Sequence, residues 1–484
     1  MKRIYILTLT VLLAGGTAFA QESQSGPMTL DQCIQYALRN SVNAQNAILD
    51  VDIAKARVKE TTGLGLPQVT AGAGVVYNKQ LPRFFARYTE PDPNNPGFSL
   101  LGDQPIPGLK TGDVVAAQNF FQLQASGDAN ITVNQLIFNG SYFVGLQAAS
   151  AYKNLAYRNA AVTQQTIIQN VMKAYYGVLI NNERAQLFDV NIARVDSLLR
   201  NTKALNQNGF AESIDVDRIQ VTYNNLISER DKFMNMKELS LALLKFQMNY
   251  PMDQDLAITG SIQDMQVESN PEEANWDYKS RPDYQVLEAN RQLQALNLKN
   301  QYAGALPMIV AFGKGGYQTQ SSNIGGVFKT NTPLGENDIP GIGPDKWYSY
   351  SQFGVSMTWN IFTGLQRNYK IQQEKMNLQK IENSFRSLKT GIDLEVKQSS
   401  IMFENSLKTL TSQKQNMDLA GNVARVTRIK FEQGVGSNLE VVTAESSLKE
   451  AQNNYYNALY DAMIAKVDLD KAYGRLQAPV STDK

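Results

Sequence analysis

The sequence predicts a mainly α-helical chain with a membrane-type β portion, built by internal duplication. Three observations carry this: a motif that occurs twice, helical periodicity far longer than a globular core holds, and short strands of near-faultless alternation. Gly209-Phe210-Ala211-Glu212-Ser213-Ile214-Asp215-Val216 leads into one long helical pattern, and 225 residues later Gly434-Val435-Gly436-Ser437-Asn438-Leu439-Glu440-Val441 leads into another. Upstream, Gly63-Leu64-Gly65-Leu66-Pro67 returns as Ala303-Gly304-Ala305-Leu306-Pro307, and Ile137-Phe138-Asn139-Gly140 returns as Ile361-Phe362-Thr363-Gly364. The unit is helix, strand, strand, long helix, turn, helix, about 200 residues used twice.

The helices come first in the argument because their length is unusual. From Ser141 to Leu205 there is no proline, and apolar residues such as Ile167, Val171, Ala174 and Val178 recur at helical spacing. That stretch and its counterpart, Leu365 to Phe431, would each span about 100 Å at 1.5 Å per residue. Shorter helices are expected over Ser41–Thr62, Ile214–Asn249, Asp283–Gly304 and Leu439–Tyr473. In the last of these, Leu448, Tyr455, Ala462 and Leu469 are spaced by seven, as are Ala451, Ala458, Ala465 and Ala472. Together they form the alternating three-four seam of a coiled coil, with alanine allowing close approach.

The strands follow. Phe121, Leu123, Ala125, Gly127, Ala129, Ile131 and Val133 alternate with polar residues from Gln122 to Asn134, and Phe353, Val355, Met357, Trp359 and Ile361 alternate in the same way. Gln68–Tyr77 and Met308–Tyr317 are weaker strands, each after a proline that ends a helix. An apolar face and a wet face suit a soluble sandwich or, with the faces reversed, a membrane barrel. Strand length and the aromatics Trp347, Tyr348, Tyr350 and Phe138 near strand ends are what an interfacial girdle would supply. Four strands per chain cannot close a barrel whose smallest single-chain form has about eight, so a barrel must be shared, and three copies supply twelve. The loops 78–119 and 320–346 both join strands at the end remote from the helices.

Composition narrows the function. Residues 1–20 read as a signal peptide, with Lys2 and Arg3, an apolar run and Ala18-Phe19-Ala20. Gln21 in place of cysteine argues against a lipid anchor, and no later run is apolar enough for a spanning helix. With 46 basic and 45 acidic residues there is no field for nucleic acid. The absence of histidine removes His-based triads and the common zinc sites. The single cysteine, Cys33, sits on an apolar helical stripe and reads as a core thiol. Gly313-Lys314-Gly315-Gly316 lacks phosphate-loop spacing, and Asp253, Asp255, Glu272 and Glu273 read as solvated loop charge. No catalytic, cofactor or metal residue is expected, and the chain is not expected to be an enzyme.

The ordered features from about residue 28 to 474 resemble the TolC-like outer-membrane efflux family (outer membrane factors). They are Leu30–Asn40, the helix ends at Pro67 and Pro307, the two strand-to-helix corners and the two turn motifs; Ser41 departs from the proline frequent there. The resemblance implies a homotrimer: a twelve-stranded β-barrel in the outer membrane, four strands per chain, continued by a long periplasmic α-helical coiled-coil barrel. It implies a passive conduit for small molecules or polypeptides in efflux or type I secretion, embedded in outer-membrane lipid and docked to a periplasmic adaptor (membrane fusion protein) and an inner-membrane pump. The expected organisation is a signal peptide (1–20), a first repeat (21–250), an equatorial connector (251–281), a second repeat (282–474) and a tail (475–484). Gly209, Phe210, Ala211, Glu212 and Ser213, with Gly434, Val435, Gly436, Ser437 and Asn438, resemble adaptor-contact tips, and as bare turns they would be helix reversals with Ser213 and Asn438 as N-caps. Glu440 matches a lumen-facing acidic gate position, Thr443 stands where the family has a second acid, Phe431 matches an aromatic near the gate and Asp215 a partner that holds the coils closed. The plain alternative for Asp215 and Glu440 is a carboxylate favoured by the helix dipole. A soluble periplasmic coiled-coil scaffold or adaptor is the competing reading of the whole chain, and a secreted carbohydrate-active enzyme a distant third.

Overall fold

The computed structural model describes residues 26–91, 104–117, 119, 122–260, 262, 276–329 and 347–476. The expected signal peptide, Phe121, Glu272, Glu273 and most of the tail lie outside the described residues. The chain divides into two compact units. One comprises residues up to 48 with 160–282 and 389–484, and the other residues 49–159 with 283–388. Both halves of the sequence contribute to both units, as a duplication requires.

The second unit is built on one antiparallel sheet. Its strands are β1 (Gln68–Tyr77), β4 (Ala125–Asn139), β5 (Met308–Ser321) and β6 (Tyr348–Thr358), in the spatial order β1-β4-β5-β6. β1 follows α2 (Val42–Gly63) and β5 follows α5 (Pro282–Ala303), each after a Leu-Pro step. The registers fix the two faces. Val133 lies opposite Val69 and Gly313, and Gly313 opposite Phe353, so apolar side chains line up across the sheet. Most of that face is bare: Val69 is 67%, Phe353 82%, Val355 69% and Met357 63% exposed, while at its loop end Ala125, Gly127, Thr319 and Ser321 are buried, where Val327 and Trp347 approach Gly127. No second sheet covers it among the described residues, which removes the sandwich.

β4 begins at Ala125 and β5 runs on to Ser321, four residues past the expected end. A register shift between Leu136 and Phe138 carries Phe138 back to the apolar face beside Ile309. Parity overturns part of the aromatic girdle. Tyr348 and Tyr350 pair with Gln318 and Gly316, positions in step with Lys314, and so lie on the wet face. Trp347 instead donates its indole N–H to the Val327 carbonyl at 2.9 Å. The exposed apolar-face aromatics are Tyr77 and Tyr317 toward one end of the sheet and Phe353 in its middle, with Trp359 and Phe362 just past the other end.

Both long loops join strands at the sheet end remote from the helices, as expected, but each contains structure of its own. The first holds the hairpin β2 (Phe84–Arg87) and β3 (Val114–Ala117), closed by buried Tyr88, whose hydroxyl accepts the Ile106 N–H at 2.9 Å. The second holds the short α6 (Ile324–Val327), capped by Asn323. Four-residue elements are too short for periodicity to reveal. The two strand-to-helix corners also differ. β4 passes directly into α3 (Gly140–Gln207), whereas β6 ends seven residues before α7 (Gln366–Glu432), with Gly364 and Leu365 both left-handed at φ 60° and 64°.

The first unit is helical. α3 has 68 residues and α7 has 67, while α4 (Ser213–Met248) and α8 (Asn438–Ala472) have 36 and 35. A shorter α1 (Leu30–Asn40) opens on a Thr29–Gln32 capping box and carries Cys33, Ile34 and Ala37 into the core. There they meet Ile167, Val171, Ala174 and Val178 of α3, Leu244 and Met248 of α4, and Leu459, Met463 and Val467 of α8. Burial pushes the Cys33 thiol up to about 12, so it stays a neutral, unreactive core group. The α8 seam is as spaced in sequence: Leu448, Ala458, Ala462, Ala465, Leu469 and Ala472 are all buried. Buried cations tie the chain near the connector. Lys245 donates to the carbonyls of Gln254 and Met252, and Arg281 to Glu395 at 2.7 Å and to the Ala472 carbonyl.

Candidate functional site

The two duplicated turns have one geometry. After α3, Gly209 takes φ 79°, its N–H bonds the Asn206 carbonyl and the Phe210 N–H bonds that of Leu205. After α7, Gly434 takes φ 76°, its N–H bonds the Phe431 carbonyl and the Val435 N–H bonds that of Lys430. Both are Schellman closures, in which only glycine holds the left-handed position without a Cβ penalty. Normally the residue after that glycine packs back on the helix. Here Phe210 is 81% and Val435 78% exposed, so each turn presents an apolar side chain to solvent.

The N-caps differ from expectation by one residue. α4 is capped at Glu212, whose side chain makes no capping bond, so Ser213 is the first helical residue. α8 is capped at Ser437, whose hydroxyl accepts the Glu440 N–H at 3.2 Å. Ser437 holds the extended backbone a cap needs (φ −88°, ψ 150°), which frees Asn438 for another task. Asn438 is buried and donates its amide to the Asp215 carbonyl at 2.8 Å, joining the two copies of the repeated motif.

The four expected gate residues differ in exposure. Glu440 and Thr443 are exposed on α8, while the next residues along, Val441 and Ala444, are buried. Asp215 is half-buried, its carboxylate 3.6 Å from Arg218 one turn along α4. Phe431 packs against a core of Phe188, Val195, Leu198, Leu199, Ile219, Leu226 and Val441. Asp215 and Phe431 are thus parts of the packed tip, and Glu440 and Thr443 belong to its surface.

Sequence reasoning missed the main charge cluster behind the tip. Glu445 of α8 is buried between Arg428 of α7, which donates at 2.5 Å, and Arg194 of α3 at 3.7 Å. Arg194 also donates to Asn191, whose amide reaches Gln452 of α8. Burial lowers the Arg194 pKa, Glu445 opposes that, and Arg428 adds to it. One carboxylate therefore holds two guanidinium groups from two other helices. The available signal was an acid three residues from Leu448 and four from Val441, in line with an apolar seam. Lys449 and Glu229 add an α8 to α4 link at 3.0 Å. Among the described residues no cluster of potential metal ligands occurs, and no helix is long and apolar enough to cross a membrane.

Against this geometry the comparisons are consistent. Residues 278–475 match the family described as outer membrane efflux protein. Over that stretch the chain is similar to the outer membrane efflux family. The outer membrane protein TolC of Vibrio cholerae is 20% identical over 350 residues, covering 72% of this chain and 76% of that protein. The open-state MtrE outer membrane channel of Neisseria gonorrhoeae superposes with TM-score 0.67 at 18% identity, covering 94% of this chain and 91% of that one. The CmeC outer membrane channel of Campylobacter jejuni gives 0.64 at 14%, covering 94% and 87%. VceC of Vibrio cholerae gives 0.63 at 13%, covering 92% and 96%. The chain thus shares the fold of these solved structures along nearly its whole length.

The buried cluster yields an expectation. Glu445→Ala leaves Arg194 and Arg428 facing each other without a counter-charge. A fully buried broken pair costs about 3–5 kcal/mol, and the partial exposure of both guanidinium groups brings this to roughly 2–3 kcal/mol. Thermal unfolding of the detergent-solubilised protein reads this, with Glu440→Ala as the near-neutral control. Equal midpoints for the two variants would remove the structural role of Glu445.

Proposed function

We propose that three copies of this chain close into a twelve-stranded outer-membrane barrel. The barrel continues through the helices into the periplasm and serves as the exit duct of a tripartite export system. The observation that carries this is the bare sheet. Its apolar face is exposed at Val69, Ile131, Val133, Tyr317, Phe353, Val355 and Met357, its other face is polar, and the outer edges of the long strands β1 and β6 have no partner strand among the described residues. A soluble protein with such a face and edges would aggregate. Pairing β6 of one copy with β1 of the next satisfies both edges and turns the apolar face to lipid.

The duct catalyses nothing. It offers small molecules or polypeptides a wet path, and a pump in the inner membrane supplies the energy. The exposed Phe210 and Val435, carried on identical turns, form the surface that a periplasmic adaptor grips. In a trimer Glu440 recurs three times around the lumen, a carboxylate ring that favours cations and repels itself when fully ionised. Thr443 adds no second ring. The soluble scaffold reading loses its support because it needs a polar surface where Val69, Phe353, Val355 and Met357 stand.

Three outcomes are expected. Val355→Lys, on the lipid face, should cost about 2–4 kcal/mol per chain near mid-membrane and abolish the heat-modifiable trimer band, whereas Gln352→Lys should preserve it. Loss of the trimer in both, or in neither, would reject the face assignment. Phe210→Ser with Val435→Ser should leave the trimer intact and lower export at least several-fold in cells; undiminished export would strip the turns of their docking role. Glu440→Gln should reduce the cation preference of single channels in planar bilayers, and an unchanged reversal potential would return Glu440 to a plain helix-end carboxylate.

A further inference from the structure

Asp128 on β4 and Lys314 on β5 are the only charged residues in β1, β4, β5 and β6. Both lie on the wet face. Their Asp128 Oδ1 to Lys314 Nζ distance is 4.0 Å, and their side chains are 41% and 36% exposed. A third strand joins them. The Tyr350 hydroxyl of β6 donates to Asp128 Oδ2 at 2.6 Å, and Lys314 Nζ sits 5.5 Å from the centre of the Tyr350 ring. Asn130 donates to Asp128 as well. Gly316, paired with both Asn130 and Tyr350, keeps β5 from obstructing the bridge, since a Cβ there would meet Asn130 Cβ at 2.9 Å and the Ala129 carbonyl oxygen at 2.2 Å. Beside the cluster the wet face forms a depression of about 830 Å³ lined by Gly72, Gly74, Ser126, Asp128 and Tyr348.

A lone carboxylate in a narrow polar lumen selects cations, and a lone ammonium selects anions. Here one of each is held in contact by a tyrosine that touches both. We propose that the Asp128–Tyr350–Lys314 cluster is a charge-compensated specificity level in the barrel, whose internal pairing keeps the outer part of the duct indifferent to the sign of the solute. This rests on the duct reading above. In a trimer it places three acids and three bases at one height, far from the tip in sequence, so that ionic selection is left to the Glu440 ring. Tyr350 is the positioning residue, bracketing the pair across three strands.

The test is the reversal potential of single channels under a potassium chloride gradient, in the wild type and in a Glu440→Gln background that removes the acidic ring at the tip. Lys314→Cys should raise the potassium-to-chloride permeability ratio about twofold or more, and Asp128→Cys should lower it by a similar factor. Charge is then restored in the assembled channel. A cationic methanethiosulfonate added to the Lys314→Cys channel, or an anionic one to the Asp128→Cys channel, should return the ratio to that of its parent. The native Cys33, buried with its thiol raised to about 12, does not compete for reagent. Tyr350→Phe should move the ratio when either charge is also removed, by freeing the one that remains. Channels whose ratio stays at the parent value before and after reagent would overturn the proposal while leaving the duct intact. A wild-type protein that forms no channels would overturn the duct reading, and the proposal with it.

Discussion

A four-stranded sheet with one apolar face cannot bury that face against itself. β1, β4, β5 and β6 have ten to fifteen residues each, and their exposed edges and uncovered Val69, Phe353, Val355 and Met357 demand lipid on one side and further strands at both ends. The rest of the chain is arranged around this demand. Helices enter and leave the sheet at one end only, so the other end is free for loops. Leu-Pro steps stop α2 and α5 where the strands must start, because proline denies the preceding residue the helical conformation. Duplication supplies two hairpins with the same polarity.

The helices obey a second constraint, that a long rod must bury a continuous stripe. α8 does so with leucine and tyrosine alternating with alanine, which keeps its axis close to its neighbours and leaves little room for polar groups. The charged groups that enter are matched: Glu445 by two arginines, Lys245 by loop carbonyls, and Arg281 by Glu395 and the Ala472 carbonyl. Burying an unmatched charge costs more than the packing it replaces, so each such residue marks a place where helices are held in register as well as in contact. The tip has another such tie in Asn438, which links the two halves through the Asp215 carbonyl.

Much of this was legible in the sequence because it follows from repetition. The seam of α8, the faces of β4 and β6 and the two glycine turns each rest on periods or on a motif seen twice, and the structure keeps those periods, although β4 and β6 begin and end three to five residues from the expected bounds. What was not legible lacks a period. The β2–β3 hairpin and α6 are four-residue elements inside loops, and their stability comes from single residues such as Tyr88 and Asn323. The cap position at Ser437 against Asn438 depends on one backbone conformation, and both residues are good caps by composition. Tyr348 and Tyr350 were misplaced because proximity to a strand end says nothing of parity, which pairing with β5 decides. The Glu445 cluster joins the consecutive helices α7 and α8 to Arg194 of α3, far away in the chain, and only that long-range pairing could reveal it.

Three carboxylates show how one functional group takes different roles from its surroundings. Glu445, almost without water, has its charge committed to two guanidinium groups and can only brace the tip. Asp128 is 41% exposed and engaged by Lys314 and Tyr350, so its field is cancelled locally while it remains within reach of solute. Glu440 stands exposed in the first turn of α8, and no ion pair of its side chain occurs among the described residues. The strength of an acid's effect on a passing ion falls with both burial and pairing. Of the three, only Glu440 is both exposed and without an ion-pair partner among the described residues, which is why the proposed duct has its charge discrimination assigned to the tip and not to the barrel.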